Sequence, residues 1–224
     1  MQFYLAPLRG VTGRVFRNAL ASCFRPPEIA IAPFIPTFAG EKVKPMLLRD
    51  IDPALEQRIH VIPQAIGKDP DQLRTLFQAF KKMGYAEADL NVGCPWPFVT
   101  KKGRGCGLLA HPDVLESLIK IGCEEFPNNF SIKVRLGLKT PDLLAERMEL
   151  FNSYPLREIT IHPRTAKQMY EGEVNLDAFE QVLPLCKHPV VYNGDIFTYQ
   201  DWKRISERFQ PGFHWKSLPK KLCP

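Results

Sequence analysis

The feature that most restricts this chain is a recurrence. Short runs rich in Ile and Val, most ending at Gly, Pro or Asn, alternate with amphipathic segments of helical period as far as residue 209. The strand-like runs are FYLAPL (3–8), EIAIAPF (28–34), HVIPQAIG (60–67), ADLNVG (88–93), SIKVRLG (131–137), EITIHP (158–163) and PVVYNGD (189–195). Strand then helix, seven times over, calls for parallel neighbours, because each strand returns to the same edge through a crossover helix. Seven units in 209 residues predict an α/β chain of the (β/α)8 TIM-barrel type, whose eight units typically take about 250 residues. A doubly wound open sheet is the alternative.

The helices carry their own punctuation. In KDPDQLRTLFQAFKKMG (68–84), Asp69 is the expected cap, Pro70 the first helical residue and Gly84 the stop, with Leu73, Leu76, Phe77 and Phe80 on one face. HPDVLESLIKIG and TPDLLAERMELF repeat the proline start, with Asp113 and Asp142 expected in the first turn. TGRVFRNALASCF is expected to turn Val15, Phe16, Ala19, Leu20 and Cys23 to one side. The segment 35–59 is long for a connection and should hold an extra turn or helix. After residue 209 the composition changes: QPGFHWKSLPKKLCP has three prolines, three lysines, no acid and no strand pattern. Residues 1–209 are therefore read as the barrel and 210–224 as an aberrant tail, with the eighth β/α unit missing. The first and seventh strands would then have unpaired edges, and self-association through them is expected.

Composition narrows the function. Lys plus Arg is 30 against 24 Asp plus Glu, a net charge of +6 that suits an anionic partner such as nucleic acid or a phosphorylated cofactor. Six cysteines occur with no C-x-x-C pair, so neither a zinc site nor any other metal nor a disulfide framework is expected. The N-terminus lacks the pattern of a signal peptide, and no apolar run approaches the ~20 residues that span a bilayer. A cytoplasmic location without membrane contact is the resulting expectation.

In a barrel, chemistry belongs at the C-terminal ends of the strands. The unusual polar residues cluster there: Gln64, Asn91, Cys94, Lys133, Arg135, His162, Arg164, Asn193, Gly194 and Asp195. Lys133 and Arg135 are two apart and share a strand face. A lysine among Ile and Val needs an anionic partner, so packing explains Lys133 poorly. Cys94 stands on a strand-end loop near Lys101, Lys102 and Arg104 and reads as functional, whereas Cys106 reads as structural. His162 fits a core histidine as well as a site residue, and NGD at 193–195 is first a turn signal.

Taken in order, LAPLRGVTGRVFRNAL, LNVGCPWPFVTKKGRGCGLL, IKVRLG, ITIHPRTAKQMYEGEVNL and VVYNGDI resemble the motifs of tRNA-dihydrouridine synthases, over residues 1–209. The resemblance implies an FMN-binding barrel followed by a helical C-terminal domain; that domain, the eighth unit and its Gly-Arg phosphate loop are expected to be missing here. It implies reduction of uridine to 5,6-dihydrouridine in tRNA, with hydride delivered from reduced FMN to C6 and a proton from Cys94 to C5. NADPH or NADH would be the reductant. By the same resemblance Pro7 and Leu8 line the flavin ring, Gln64 bonds its pyrimidine edge, and Lys133 sits where the reduced ring gathers negative charge. His162 also contacts the cofactor. Asn193, Gly194 and Asp195 belong near its ribityl chain and phosphate, while Asn91, Arg135 and Arg164 are expected to contact the uridine. Two other readings stay open: a flavin barrel acting on free pyrimidines, and a fragment without activity.

Overall fold

Local sequence explains most of the helices and strands in the computed structural model, which describes residues 2–40 and 43–209 and the strand backbone at 214–216. In chain order the elements are β1 (Phe3–Leu5), α1 (Arg14–Cys23), β2 (Ile29–Ile31), β3 (Ile35–Pro36), α2 (Pro45–Leu48), β4 (His60–Ile62), β5 (Gln64–Ile66), α3 (Pro70–Lys82) and β6 (Ala88–Val92). Then follow α4 (Pro97–Thr100), α5 (Pro112–Glu125), β7 (Phe130–Gly137), α6 (Leu143–Asn152), β8 (Glu158–Thr165), α7 (Leu176–Val182), β9 (Val190–Tyr192), α8 (Tyr199–Arg208) and β10 (His214–Lys216). The Asp69 carboxylate accepts from the Gln72 N–H at 3.0 Å at the head of α3, and Gly84 follows its end at φ 89°. α6 differs slightly: it begins at Leu143, so Pro141 stands outside it and Asp142 precedes its first turn.

Every strand pairing is parallel, in the order β3-β5-β6-β7-β8-β9-β10-β1-β2-β4. β4 and β5 are two pieces of one stave interrupted at Pro63, which has no N–H to give the ladder. The list therefore closes on itself, with β2 beside the first piece and β6 beside the second. The result is a closed ring of eight staves, of the barrel type expected.

One expectation is corrected here. The tail was read as having no strand, but His214–Lys216 lies between β9 and β1, pairing His214 with Val191 and Trp215 with both Tyr192 and Phe3. Three residues with a parallel neighbour on each side are held by backbone ladders and need no Ile/Val pattern, because strand preference follows the setting more than the residue. The edges of β1 and β9 are thereby paired, which removes the ground for expecting self-association through them. Residues 210–213 and 217–224, where the eighth helix and phosphate loop were judged missing, lie outside the described residues.

Packing on the outside follows the aromatic residues. Phe77 of α3 meets Phe126 edge-on at 5.4 Å and Phe130 of β7 at 5.6 Å. Gly122 lets α5 close on this cluster, since a Cβ there would stand 2.3 Å from the Phe130 ring. The α1 face is a second correction. Phe16 and Leu20 do pack against the buried Leu5, Ala30 and Ile59, but Val15, Ala19 and Cys23 lie on the open side, and the helix also buries Arg17 completely. Its guanidinium bonds the Asp50 carboxylate at 2.9 Å, the Asp50 carbonyl at 2.6 Å and the Thr12 carbonyl at 3.0 Å. A hydrophobic pattern overlooks such a residue because the ion pair, not the side-chain type, makes its burial tolerable. The pair also fastens the 35–59 segment, which does hold α2 and a 3-10 turn, to the barrel. Arg17→Met should lower stability by about 2 kcal/mol, the scale of lost hydrogen bonds from a charged group, since the Asp50 left behind is partly exposed; a loss under about 1 kcal/mol in urea titration would refute this role.

Candidate active site

The site is built from strand ends, starting at β6. Asp89 and Gln64 are fully buried side by side on β6 and β5. The Asp89 carboxylate accepts from Gln64 Nε2 at 2.6 Å and from Ser131 Oγ at 2.8 Å. Gln64 thus turns its carbonyl oxygen to Asn91, whose Nδ2 donates to it at 2.9 Å. Asn91 in turn presents its own oxygen to the backbone N–H groups of Gly93 (3.1 Å) and Cys94 (2.8 Å). Each amide's orientation follows from the one before it, because a carboxylate here only accepts. The loop that carries Cys94 is seated at the end of this relay.

Two glycines make the seat. A Cβ at Gly93 would stand 3.3 Å from the β7 backbone, and one at Gly105 (φ 54°) would stand 2.8 Å from the Cys94 Cβ. The Cys94 thiol is buried, with 7% of the residue exposed. Burial pushes its pKa up, ahead of the opposing pull of the Trp96 backbone and of Arg135, Arg9 and Lys133. It is therefore protonated at neutral pH. Cys106, read from sequence as structural, is wholly buried, its thiol pushed up to about 12 by burial and donating to the Gly137 carbonyl at 3.3 Å.

β8 and β9 supply the opposite side. Arg164 is buried and held by both oxygens of Asp195, at 2.8 Å for the Nη1–Oδ1 contact, and by the Gly172 carbonyl at 2.6 Å. Its Nη1 also lies 3.2 Å from His162 Nε2. A guanidinium can only donate, so Nε2 accepts and the His162 ring proton sits on Nδ1. Asp195 (φ 34°) and Met169 (φ 52°) adopt left-handed backbone that non-glycine residues avoid. Each is held by an arginine, Asp195 by Arg164 and the Met169 carbonyl by Arg135 Nη1 at 2.6 Å. Arg135 also lies over the Tyr170 ring at 5.2 Å, and burial lowers its pKa from the usual guanidinium range.

These groups surround one cavity of about 530 Å³, a usual size for a small-molecule site. Pro7, Leu8, Asn91, Cys94, Lys133 and Arg135 line it, as do His162, Asn193, Gly194 and Asp195. Gln64 and Arg164 do not: both stand behind the wall, bonded to residues that do. Sequence reasoning missed Arg9, Phe34, Trp96, Phe98 and Tyr170, which also border the cavity. The unusual PWPF run after Cys94 was the available signal for two of them. Among the described residues no group of three His, Cys, Asp or Glu side chains could hold a metal ion, and no helix is long and apolar enough to cross a membrane.

Alkylation needs the thiolate. Iodoacetamide labelling of Cys94, read by peptide mass, should stay slow at pH 7–8 and rise only above the ordinary thiol range near ~8.5. Asn91→Ala should release the loop and speed labelling several-fold at fixed pH. Equal rates in the two proteins would remove Asn91 from the seat.

Comparison with known proteins agrees with the architecture. The chain is 26% identical over 216 residues to tRNA-dihydrouridine(16) synthase of Vibrio parahaemolyticus and 27% over 215 residues to that of Pseudomonas putida. Both alignments cover 92% of this chain and 66% of the relative, so the chain spans about two thirds of the length of these proteins. A probable tRNA-dihydrouridine synthase of Staphylococcus aureus is 27% identical, with 92% and 64% covered. Among solved structures, a variant of NCR from Zymomonas mobilis superposes with a TM-score of 0.67 at 9% identity, covering 98% of this chain and 82% of that one. Morphinone reductase in complex with tetrahydroNAD gives 0.65 at 11% identity, with the same shares. These two show the barrel fold. The family described as dihydrouridine synthase (Dus) matches residues 4–209, nearly the whole described barrel, and the chain belongs to that family.

Proposed function

We propose that this chain reduces the C5=C6 bond of uridine in tRNA, using a flavin held in the cavity. The observation that carries this reading is a buried, protonated thiol facing the same cavity as Arg9, Lys133 and Arg135. Names of relatives support the substrate: tRNA-dihydrouridine(16) synthases of Vibrio and Pseudomonas align over most of the chain.

The residues present fit a flavin. Pro7 and Leu8 give an apolar surface, while Lys133, His162 and Asn193 give polar groups on the far strands. Gly194 keeps the β9 end narrow, since a Cβ there would stand 2.9 Å from Val174 Cγ1. When bound and reduced, FMN supplies the hydride for C6, with NADPH or NADH as the source of electrons. Cys94 holds the proton that C5 requires, on Sγ, at the pH where it is needed. A general acid of this kind contributes about 10²–10⁴-fold. Lys133 places positive charge where a reduced ring accumulates electrons. Arg135 is anchored on the Thr165 and Met169 carbonyls and presents its remaining edge toward the cavity.

Two of the expected contacts take a different role in this proposal. Arg164 acts by holding Asp195 and the His162 tautomer, and Asn91 by seating Cys94, so both are positioning residues. Gln64 likewise acts through Asn91. The target uridine must leave its stack to enter the cavity, at a few kcal/mol of unstacking, which favours a loop position in the RNA.

The test is dihydrouridine formation on an unmodified tRNA transcript. Cys94→Ala should keep bound flavin, seen by its visible absorption, and lose on the order of 100-fold or more in rate. Full activity in that variant would remove the thiol from the mechanism, and equal turnover of free uracil would replace tRNA by free pyrimidine as substrate. Lys133→Met should weaken FMN binding on the order of ten-fold, as expected when a hydrogen bond from a charged group is lost; unchanged fluorescence titration would place the flavin elsewhere.

A further inference from the structure

Between Cys94 and the basic residues that follow stands a largely exposed aromatic pair. Trp96 is 57% exposed and Phe98 73% exposed, although both border the cavity that Cys94 faces. They are not on a loose loop. Pro95 and Pro97 flank Trp96, and its carbonyl accepts from the N–H groups of Val99 at 2.8 Å and Thr100 at 2.9 Å. The Val99 carbonyl then accepts from Lys102 and Arg104, both at 3.2 Å. The rings are thus presented on a fixed turn, which reduces the ordering cost of any ligand contact.

Charge distinguishes what such rings would bind. Lys102 Nζ lies 4.0 Å from the Phe98 ring centroid, and Lys101 beside it is exposed. Residues 91–112 contain Lys101, Lys102 and Arg104 and no Asp or Glu. A purely apolar partner surface would have to desolvate these cations without pairing them. A single strand of RNA offers both a π face for the rings and phosphates for the lysines.

We propose that Trp96 and Phe98, with Lys101 and Lys102, form a stacking platform for the base next to the uridine that enters the cavity. This deepens the tRNA reading and rests on it for the identity of the strand. The platform places the neighbouring base outside the cavity mouth, so that stacking lost inside the RNA on extrusion of the target is partly replaced on the protein. Stacking on an aromatic face accepts any base, so the platform contributes affinity and position without sequence choice.

The experiment uses the full chain with an oligouridylate of about eight nucleotides and, separately, an unmodified tRNA transcript. Oligouridylate should quench tryptophan emission. Trp96→Phe should bind it with near wild-type affinity and abolish the quench, which assigns the signal to this ring. The Trp96→Ala/Phe98→Ala double variant should bind on the order of ten-fold more weakly, the usual scale for a lost stacked base. Its melting temperature should match the wild type, and its slope of log K against log salt should not change. Lys101→Ala/Lys102→Ala should instead flatten that slope. Affinity of the aromatic double variant within two-fold of wild type would overturn the platform, as would a fall of several degrees in its melting temperature, the mark of a packing role. The two ideas separate cleanly. Oligouridylate quenching without tRNA reduction by the wild type would sink the tRNA reading and leave the platform, whereas an unchanged KM of the double variant on reducible tRNA would sink the platform and leave the reading.

Discussion

A single buried carboxylate organises this site. Asp89 accepts from Ser131 and Gln64, and that choice passes through Gln64 to Asn91 and on to the backbone of Gly93 and Cys94. The links beyond Asp89 are each modest, since a typical internal hydrogen bond between neutral groups nets about 1 kcal/mol. Their value lies in direction. An amide in the middle of such a relay has one orientation that satisfies both neighbours, and the wrong one would leave buried donors facing each other. The thiol at the end is therefore held by a chain of constraints that begins in the barrel interior.

The same division of labour recurs on the other wall. Arg164 is buried, yet its charge is neutralised by Asp195, and its Nη1 and Nη2 also reach His162 and the Gly172 carbonyl. It fixes backbone at Asp195 that would otherwise be strained, and it selects the histidine tautomer. Arg135 does similar work at Met169 while still bordering the cavity. Of the cations on β7 and β8, Lys133 and Arg135 border the cavity and Arg164 stands behind its wall.

Closure of the barrel is what lets these walls face one another. Parallel staves need a neighbour on each side, and β10 joins β9 to β1 with only three residues. Pro63 splits the β4–β5 stave where the sheet must turn, without opening the ring, since Asp89 still donates its N–H to the Pro63 carbonyl at 3.0 Å. Outside, α1 is fastened both by the Arg17–Asp50 pair and by Phe16, Leu20 and Ala21 against Leu5, Ala30 and Ile59, and the β1–α1 loop carries Pro7 and Leu8 to the cavity.

By itself the sequence determined the seven β/α units, their order, the cap at Asp69 and the stop at Gly84, and the gathering of polar residues at strand ends. These follow from local period and punctuation, which act over a few residues. Only the tertiary structure decided which of those polar groups reach the cavity. Gln64 looked like a contact residue and is tied to Asp89, 25 positions away, while Arg164 is tied to Asp195, 31 positions away. The eighth strand and the burial of Arg17 were hidden for the same reason. A ladder hydrogen bond or an ion pair is fixed by register between distant segments, and that register exists only once the barrel has closed.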